Sequence, residues 1–320
     1  MLKIDHLYAQ YQTITGPVVS VLDVNFDIKD NEIFGIAGES GCGKSTLLKV
    51  LYDSLQYPLE IKSGKVTLQY RDEEGIERSL SSGEIRKGWW SRLSYVPQAA
   101  MSVLNPVFRI ENQFRELINA HCPKASRSAK MKEVPDFLSA LDLPLDVLKA
   151  FPHQLSGGMR QRVVIAMATF LQPSMILADE PTTALDVVVQ KSILMMLMDL
   201  QSRMKNTLVV VSHDMGVHYQ ITNRMAIMYS GSLVELGSTK EIFEHPLHPY
   251  TQMLIGALPK VGDRSVRKGI EGGPPSLRTP PPGCRFAPRC KYATPECTMS
   301  VPKFVEVSPG HYAACQKFKG

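Results

Sequence analysis

The chain has 320 residues, 44% hydrophobic and 21% charged, with a formal net charge of +5, enough for one large core and a small appendage. No apolar run reaches the roughly 18 residues of a membrane span. The charge is uneven: residues 255–320 carry eleven Lys/Arg against four Asp/Glu, a net +7 that leaves −2 for the rest. Such a tail suits solvent, an anionic membrane face or a nearby negative centre. No recognised nucleic-acid module accompanies it, and nucleic acid is not an expected partner.

In chain order, residues 1–35 alternate in short strands with a turn at Gly16-Pro17, which predicts an antiparallel β-subdomain. Phe34, Ile36 and Ala37 end a buried strand. Gly38, Gly43, Lys44 and Ser45 then satisfy the G-x-x-x-x-G-K-[ST] phosphate loop, and Thr46, Leu47, Leu48 and Val50 open a helix. The loop Ser40-Gly41-Cys42-Gly43-Lys44-Ser45-Thr46 would wrap backbone N–H groups around a phosphate at a helix N-terminus. Lys44 would reach the β- and γ-phosphates of ATP, with the Ser45 hydroxyl on Mg²⁺. A glycine-rich turn with a chance lysine would not supply the strand before and the helix after. Residues 64–70 and 93–96 read as further strands, and 99–155 as helical with polar loops.

Residues 155–162, LSGGMRQR, place a serine and two glycines at a helix N-terminus, a setting that attracts an anion. Residues 163–171 continue as an apolar helix that Gln172-Pro173 ends. Met175–Ala178 then read as a buried parallel strand with Asp179 and Glu180 at its C-terminal end, where ligands bind in open α/β sheets. Asp179 would act on Mg²⁺ and Glu180 on the attacking water as general base. Asp186 is the expected N-cap of a helix over about 187–204. Val209–Val211 form an apolar strand leading to Ser212-His213-Asp214. No internal repeat is visible.

The loop, the LSGG element and the acidic strand end together resemble the ATP-binding cassette family over about residues 1–255. The resemblance implies an α/β P-loop ABC ATPase fold with an antiparallel β-subdomain, a helical subdomain over about 99–155 and a small C-terminal four-cysteine extension. It implies that Gln98, in Tyr95-Val96-Pro97-Gln98, touches Mg²⁺ and senses the γ-phosphate. It makes Thr183–Asp186 the D-loop, His213 the switch histidine on the γ-phosphate, and Tyr11 the aromatic on adenine. It assigns Ser156, Gly157 and Gly158 to the γ-phosphate held by the opposite subunit, so the protein should work as a dimer. Met159 departs from the family's usual glutamine.

Four of six cysteines lie in the tail: Cys284, Cys290, Cys297 and Cys315, spaced C-x5-C-x6-C-x17-C. A proline- and glycine-rich tail with little periodicity suggests a staple. Where ATP is available, disulfides are disfavoured, which leaves a four-thiolate metal site. The spacing alone leaves zinc and an iron–sulfur cluster open. HPYT at 248–251, Leu258-Pro259, Pro274-Pro275, GCRFAPRC at 283–290 and LNP at 104–106 resemble oligopeptide/dipeptide importer ATPases. Some members of that group hold a 4Fe–4S cluster in the extension, which carries over to these four cysteines, with zinc as the alternative. The boundaries are then 1–255 for the nucleotide-binding domain and 256–320 for a regulatory, iron–sulfur extension.

The expected function is ATP hydrolysis driving import of di- or oligopeptides. The expected partners are a second cassette, copy or paralogue, two membrane permeases and, through them, an extracytoplasmic substrate-binding protein. The expected place is the cytoplasmic face of the cell membrane, held peripherally. The same importer type can carry oligosaccharide or nickel. A cassette ATPase of iron–sulfur assembly on a soluble scaffold is the other alternative, against which the HPYT and GCRF blocks stand. DNA-repair, chromosome and translation cassettes usually have two cassettes or long insertions. The interval of about 110 residues from Ser45 to Leu155 has no room for a coiled-coil arm.

Overall fold

The computed structural model describes residues 1–72, 74–98, 102–258 and 272–318. Pro259 of the expected Leu258-Pro259 element lies outside them, as do 99–101 at the start of the expected helical segment. Residues 259–271, within the extension expected over 256–320, are also outside. The chain divides into two compact units, Met1–Glu84 with Val210–Gly320, and Ile85–Val209.

The first unit opens with β1 (Leu2–Tyr11) and β2 (Val18–Ile28), an antiparallel pair joined at Gly16-Pro17 as the sequence predicts. β3 (Ile33–Ala37) is buried at every residue and runs into the phosphate loop and α1 (Lys44–Leu51). β4 (Leu59–Arg71) and β5 (Glu77–Ser81) complete a sheet of order β2-β1-β4-β5. The sequence reading missed β5, because ERSLS on a sheet edge is almost wholly exposed and has no apolar face to betray it.

The second unit begins its strands with β6 (Leu93–Val96). α2 (Ile110–His121) and α3 (Arg127–Ser139) follow, helical as expected, with Pro135 inside α3. α4 (Gly157–Thr169) starts at the LSGG element and packs an apolar stretch, Val163 to Ala166, that is buried. β7 (Met175–Asp179), buried throughout, pairs parallel with β6 from Leu93↔Met175 to Val96↔Ala178. α5 (Val187–Met204) begins where Asp186 accepts from Val188 N–H and Val189 N–H at 3.1 and 3.0 Å, so the expected N-cap holds. β8 (Thr207–Val211) lies beside β7 and ends at the return to the first unit.

The first unit resumes with α6 (Met215–Ile221), β9 (Arg224–Tyr229) and β10 (Ser232–Ser238). α7 (Thr239–Glu244), capped by Ser238 and Glu241 in a capping box, and α8 (Pro249–Gly256) follow. The tail holds α9 (Pro295–Met299) and a hairpin of β11 (Phe304–Ser308) and β12 (His311–Ala314). β3 pairs parallel with β9, β9 antiparallel with β10, and β12 antiparallel with β10 at Glu235↔Ala313 and Leu236↔Tyr312.

That hairpin places the end of the tail on the edge of the sheet beside β10. Two interactions fasten it besides the ladder. Glu235, fully buried, accepts from His311 Nε2 at 2.8 Å, from Leu247 N–H at 2.8 Å and from His248 N–H at 2.9 Å. A buried carboxylate is tolerable only when its lone pairs are used in this way. Phe286, 1% exposed, enters a cluster with Tyr229 and Tyr250 at ring separations of 5.1 and 5.4 Å. Cys284 and Cys290 pack against the same cluster.

Two buried histidines make the first unit sensitive to acid. Burial pushes His218 down to about 4 and His248 down to about 3. Both are neutral when folded, whereas the unfolded chain protonates them near 6.5. The unfolded state therefore binds more protons below that pH, and stability falls as pH drops from about 6.5 towards 4. The expected slope is up to ~1.4 kcal/mol per pH unit for each histidine. Guanidinium unfolding at stepped pH measures it, and an unchanged midpoint between pH 7 and 5 would refute this origin of acid sensitivity.

Candidate functional site

The phosphate loop belongs to the first unit. Gly38, Gly41 and Gly43 have φ of 149°, 77° and 106°, the left-handed region that nests successive N–H groups. A Cβ on Gly38 would run into the carbonyl oxygen of Met228, and one on Gly43 into that of Ser20. Around Gly41 a Cβ would meet nothing, so the loop's tip is open. The loop is laced to its neighbours: Gly231 N–H donates to the Cys42 carbonyl and Leu22 N–H to the Gly231 carbonyl, both at 2.8 Å.

Lys44 is 5% exposed, and its Nζ donates to the carbonyls of Gly38 and Glu39 at 2.8 and 3.0 Å. Among the described residues no carboxylate pairs with it. A buried ammonium facing only carbonyl dipoles and a thiol at 3.9 Å is a site for an anion, and the cradle fits a nucleotide's phosphates. Cys42 is buried, and burial pushes its thiol up, as befits a small filler. Ser40 and Gly41 are exposed, Ser45 is half-buried and Thr46 is buried. The Tyr11 hydroxyl lies 3.2 Å from Thr46 Oγ1, which brings this aromatic to the start of α1. His213 is exposed just past β8, while Ser212 is buried and receives the Asp214 N–H at 3.0 Å.

The acidic pair belongs to the second unit, and its two carboxylates differ. Asp179 is 2% exposed and accepts from the Tyr95 hydroxyl at 2.9 Å. Glu180 is partly exposed, with φ 48°, an uncommon conformation for a residue with a side chain. Its Oε2 accepts from Gln98 Nε2 at 3.1 Å and from Thr183 Oγ1 at 2.7 Å. The structure thus joins Gln98 to Glu180. Sequence reasoning gave no role to the hydroxyls of Tyr95 and Thr183; each stands inside a quoted motif, but nothing local says which carboxylate it meets.

The LSGG element is also in the second unit. Ser156 is exposed at the N-cap of α4 and accepts from Met159 N–H at 3.2 Å. Leu155 is buried beneath it. A Cβ on Gly158 would come within 2.8 Å of Val189 Cγ1, so glycine there keeps α4 against α5.

The tail cysteines are free thiols, each partly buried. Burial pushes Cys284, Cys290 and Cys315 up, and the mutual proximity of the thiols adds to it. Cys297 lies 3.3 Å from Thr294 Oγ1, and its carbonyl accepts from Cys284 N–H at 2.7 Å. Among the described residues, no group of three or more Cys, His, Asp or Glu is arranged to hold a metal ion. Cys284 and Cys290 border the aromatic cluster and Cys297 lies against a threonine.

One contact was not expected at all. Arg289, from GCRFAPRC, grips Glu39 of the phosphate loop with both guanidinium nitrogens, at 2.8 and 3.1 Å. Arg289 also donates to the Tyr229 hydroxyl at 3.1 Å, and Glu39 N–H donates to the Tyr250 hydroxyl at 2.9 Å.

Comparison with known proteins agrees with this architecture. The ABC transporter family model matches residues 21–183, and the model for the C-terminal region of oligopeptide/dipeptide transporters matches 234–297. The chain is 38% identical to the dipeptide transport ATP-binding protein DppD of Caldanaerobacter subterraneus, over all of this chain and 97% of that protein. It is 35% identical to the oligopeptide transport ATP-binding protein OppD of Escherichia coli, over 99% and 93% of the two. A solved dimeric bacterial ABC transporter cassette, MJ0796, superposes with a TM-score of 0.62 at 27% identity, covering 75% of this chain and 99% of that one. A phosphate loop on β3, an acidic end on β7 and a matching tail lead to one conclusion: the chain belongs to the ABC transporter ATP-binding subunits of the oligopeptide/dipeptide group.

Proposed function

We propose that this chain is the ATP-hydrolysing subunit of an importer of di- or oligopeptides, working with partner membrane permeases. The observation that carries the ATPase part is Lys44, a buried cation on an open glycine cradle with no acidic partner among the described residues. The names of the DppD and OppD relatives support the peptide part. Residues 1–255 would form the nucleotide-binding domain, with its helical part over about 99–155, and 256–320 the extension. No helix among the described residues is long and apolar enough to cross a membrane. The expected association is peripheral, at the cytoplasmic face, with permeases that receive peptide from an extracytoplasmic binding protein.

The roles follow from the chemistry of each group. Tyr11 takes the adenine, and the Ser40–Thr46 loop with Lys44 takes the phosphates. Ser45, Gln98 and Asp179 are suited to hold Mg²⁺, which supplies charge stabilisation on the phosphate oxygens when bound. Tyr95 keeps the Asp179 carboxylate oriented. Glu180 accepts a proton from the attacking water, oriented by Gln98 and Thr183, and His213 donates to the γ-phosphate. Ser156, Gly157 and Gly158 offer a hydroxyl and a helix N-terminus to the γ-phosphate of a second subunit, copy or paralogue.

Glu180→Gln is expected to keep ATP binding and lose about 10²–10⁴-fold in turnover, since the amide cannot take the water proton. Steady-state ATPase assays with nucleotide-binding titrations check this; near-normal turnover removes Glu180 from the role.

Ser156→Arg is expected to stop hydrolysis at the phosphate loop of the opposite subunit, by filling its γ-phosphate position. Mixed dimers carrying the substitution in one subunit separate the sites. Loss confined to the variant subunit's own phosphate loop would show that the cassettes do not share sites head to tail.

For the tail we propose that Cys284, Cys290, Cys297 and Cys315 take a 4Fe–4S cluster, with zinc as the alternative. Its support is the mutual proximity of the thiols, of which burial pushes Cys284, Cys290 and Cys315 up; soft thiolates suit either group. Iron, acid-labile sulfide and zinc analysis after anaerobic purification is expected to give iron with sulfide. Stoichiometric zinc without sulfide sinks the cluster, and absence of all three sinks the metal site.

A further inference from the structure

We infer that Arg289 is a positioning residue for the phosphate loop, so that the C-terminal extension is part of the apparatus that binds ATP. The inference rests on the ATPase reading above and concerns how its loop is held. Glu39 is the residue after Gly38, at the point where the chain leaves β3. Three of its groups are occupied. Its carboxylate takes both guanidinium nitrogens of Arg289, its N–H donates to the Tyr250 hydroxyl at 2.9 Å, and its carbonyl accepts from Lys44 Nζ at 3.0 Å and from Cys42 N–H at 3.2 Å. A continuous path therefore runs from Arg289 through Glu39 to Lys44. The Arg289 side chain is 7% exposed, and that of Glu39 23%, so the pair is shielded and its two-point geometry counts. Tyr229 accepts from the same guanidinium and meets Phe286 edge to face within its cluster, so the arginine is itself fixed. A second contact comes from the same segment: Arg285 donates to the Ser230 carbonyl, next to Gly231, whose N–H holds the Cys42 carbonyl.

The arrangement solves a problem of the loop. An open glycine loop has many conformations, and anchoring Glu39 at side chain and backbone reduces them before ATP arrives.

The test uses the full chain and Mg-ATP. Arg289→Gln is expected to raise the ATP Kd about tenfold, with kcat at saturating ATP within about threefold of wild type. Arg289→Lys keeps the charge but not the fork, and is expected to bind as weakly as Arg289→Gln. It also stands in should the glutamine variant fail to fold, which melting temperature without nucleotide reports. Glu39→Gln/Arg289→Gln separates positioning from charge: it is expected to stay within about twofold of Arg289→Gln. A return of the double variant to wild-type affinity would make Arg289 a charge neutraliser alone and overturn the inference. Wild-type affinity in Arg289→Lys, or a fall in kcat with Kd unchanged, overturns it too. Absent ATP binding by the wild-type protein would instead overturn the ATPase reading and this inference with it.

Discussion

The phosphate loop can turn its N–H groups inward only if its carbonyl oxygens and outer face are satisfied by something other than ligand. That constraint organises the first unit. Gly38 and Glu39 give their carbonyls to Lys44, and Cys42 gives its carbonyl to Gly231. The close approach to Met228 and Ser20 leaves no room for a Cβ at Gly38 or Gly43. β3 and β9 are buried to carry this load, and the β9–β10 turn, with Ser230 at φ 47°, is shaped around it. A rigid shell of this kind lets ATP bind without first ordering the loop.

The second unit meets a different demand, keeping two neighbouring carboxylates chemically distinct. Asp179 is buried at the end of an apolar strand and takes a phenol; Glu180 is more exposed and takes an amide and a hydroxyl. The left-handed φ at Glu180 turns the chain sharply after the straight strand. This strain is sustained because β7 is wholly buried before it and Asp186 starts a capped helix after it.

What could be read from sequence was local. Gln172-Pro173 and the run after it gave β7; an aspartate before an apolar periodic stretch gave α5 and its cap, since a cap bonds N–H groups two and three residues away. The phosphate loop was legible because its glycines, lysine and serine sit within eight residues. Edge elements were not. β5 is nearly all exposed, and β11, FVEVS, alternates too briefly to stand out in a proline-rich tail. Nor were the long-range pairs legible: Glu235 meets His311 across 76 residues and Glu39 meets Arg289 across 250. A lone glutamate in a loop carries no local signal, and an arginine beside a cysteine suits solvent or a nearby negative centre equally, until the fold brings the two together. The net +7 of the tail conceals the same point, because Arg289 is committed to the loop's carboxylate.

The tail was read as a segment that needs a staple, as one making its own core would; it also leans on the core of the first unit. β12 adds to the edge of β10, His311 closes on a carboxylate that also caps the start of α8, and Phe286 packs against both Tyr229 and Tyr250. Those rings also carry the hydroxyls that touch Arg289 and Glu39. The apolar contacts that dock the segment and the polar contacts that reach the loop are thus made by the same side chains. Cys284 and Cys290, on either side of Phe286, border the same cluster, so a change in this segment that moved Phe286 would bear on Tyr229 and Tyr250 as well, because a close-packed cluster leaves little room for one ring to shift alone.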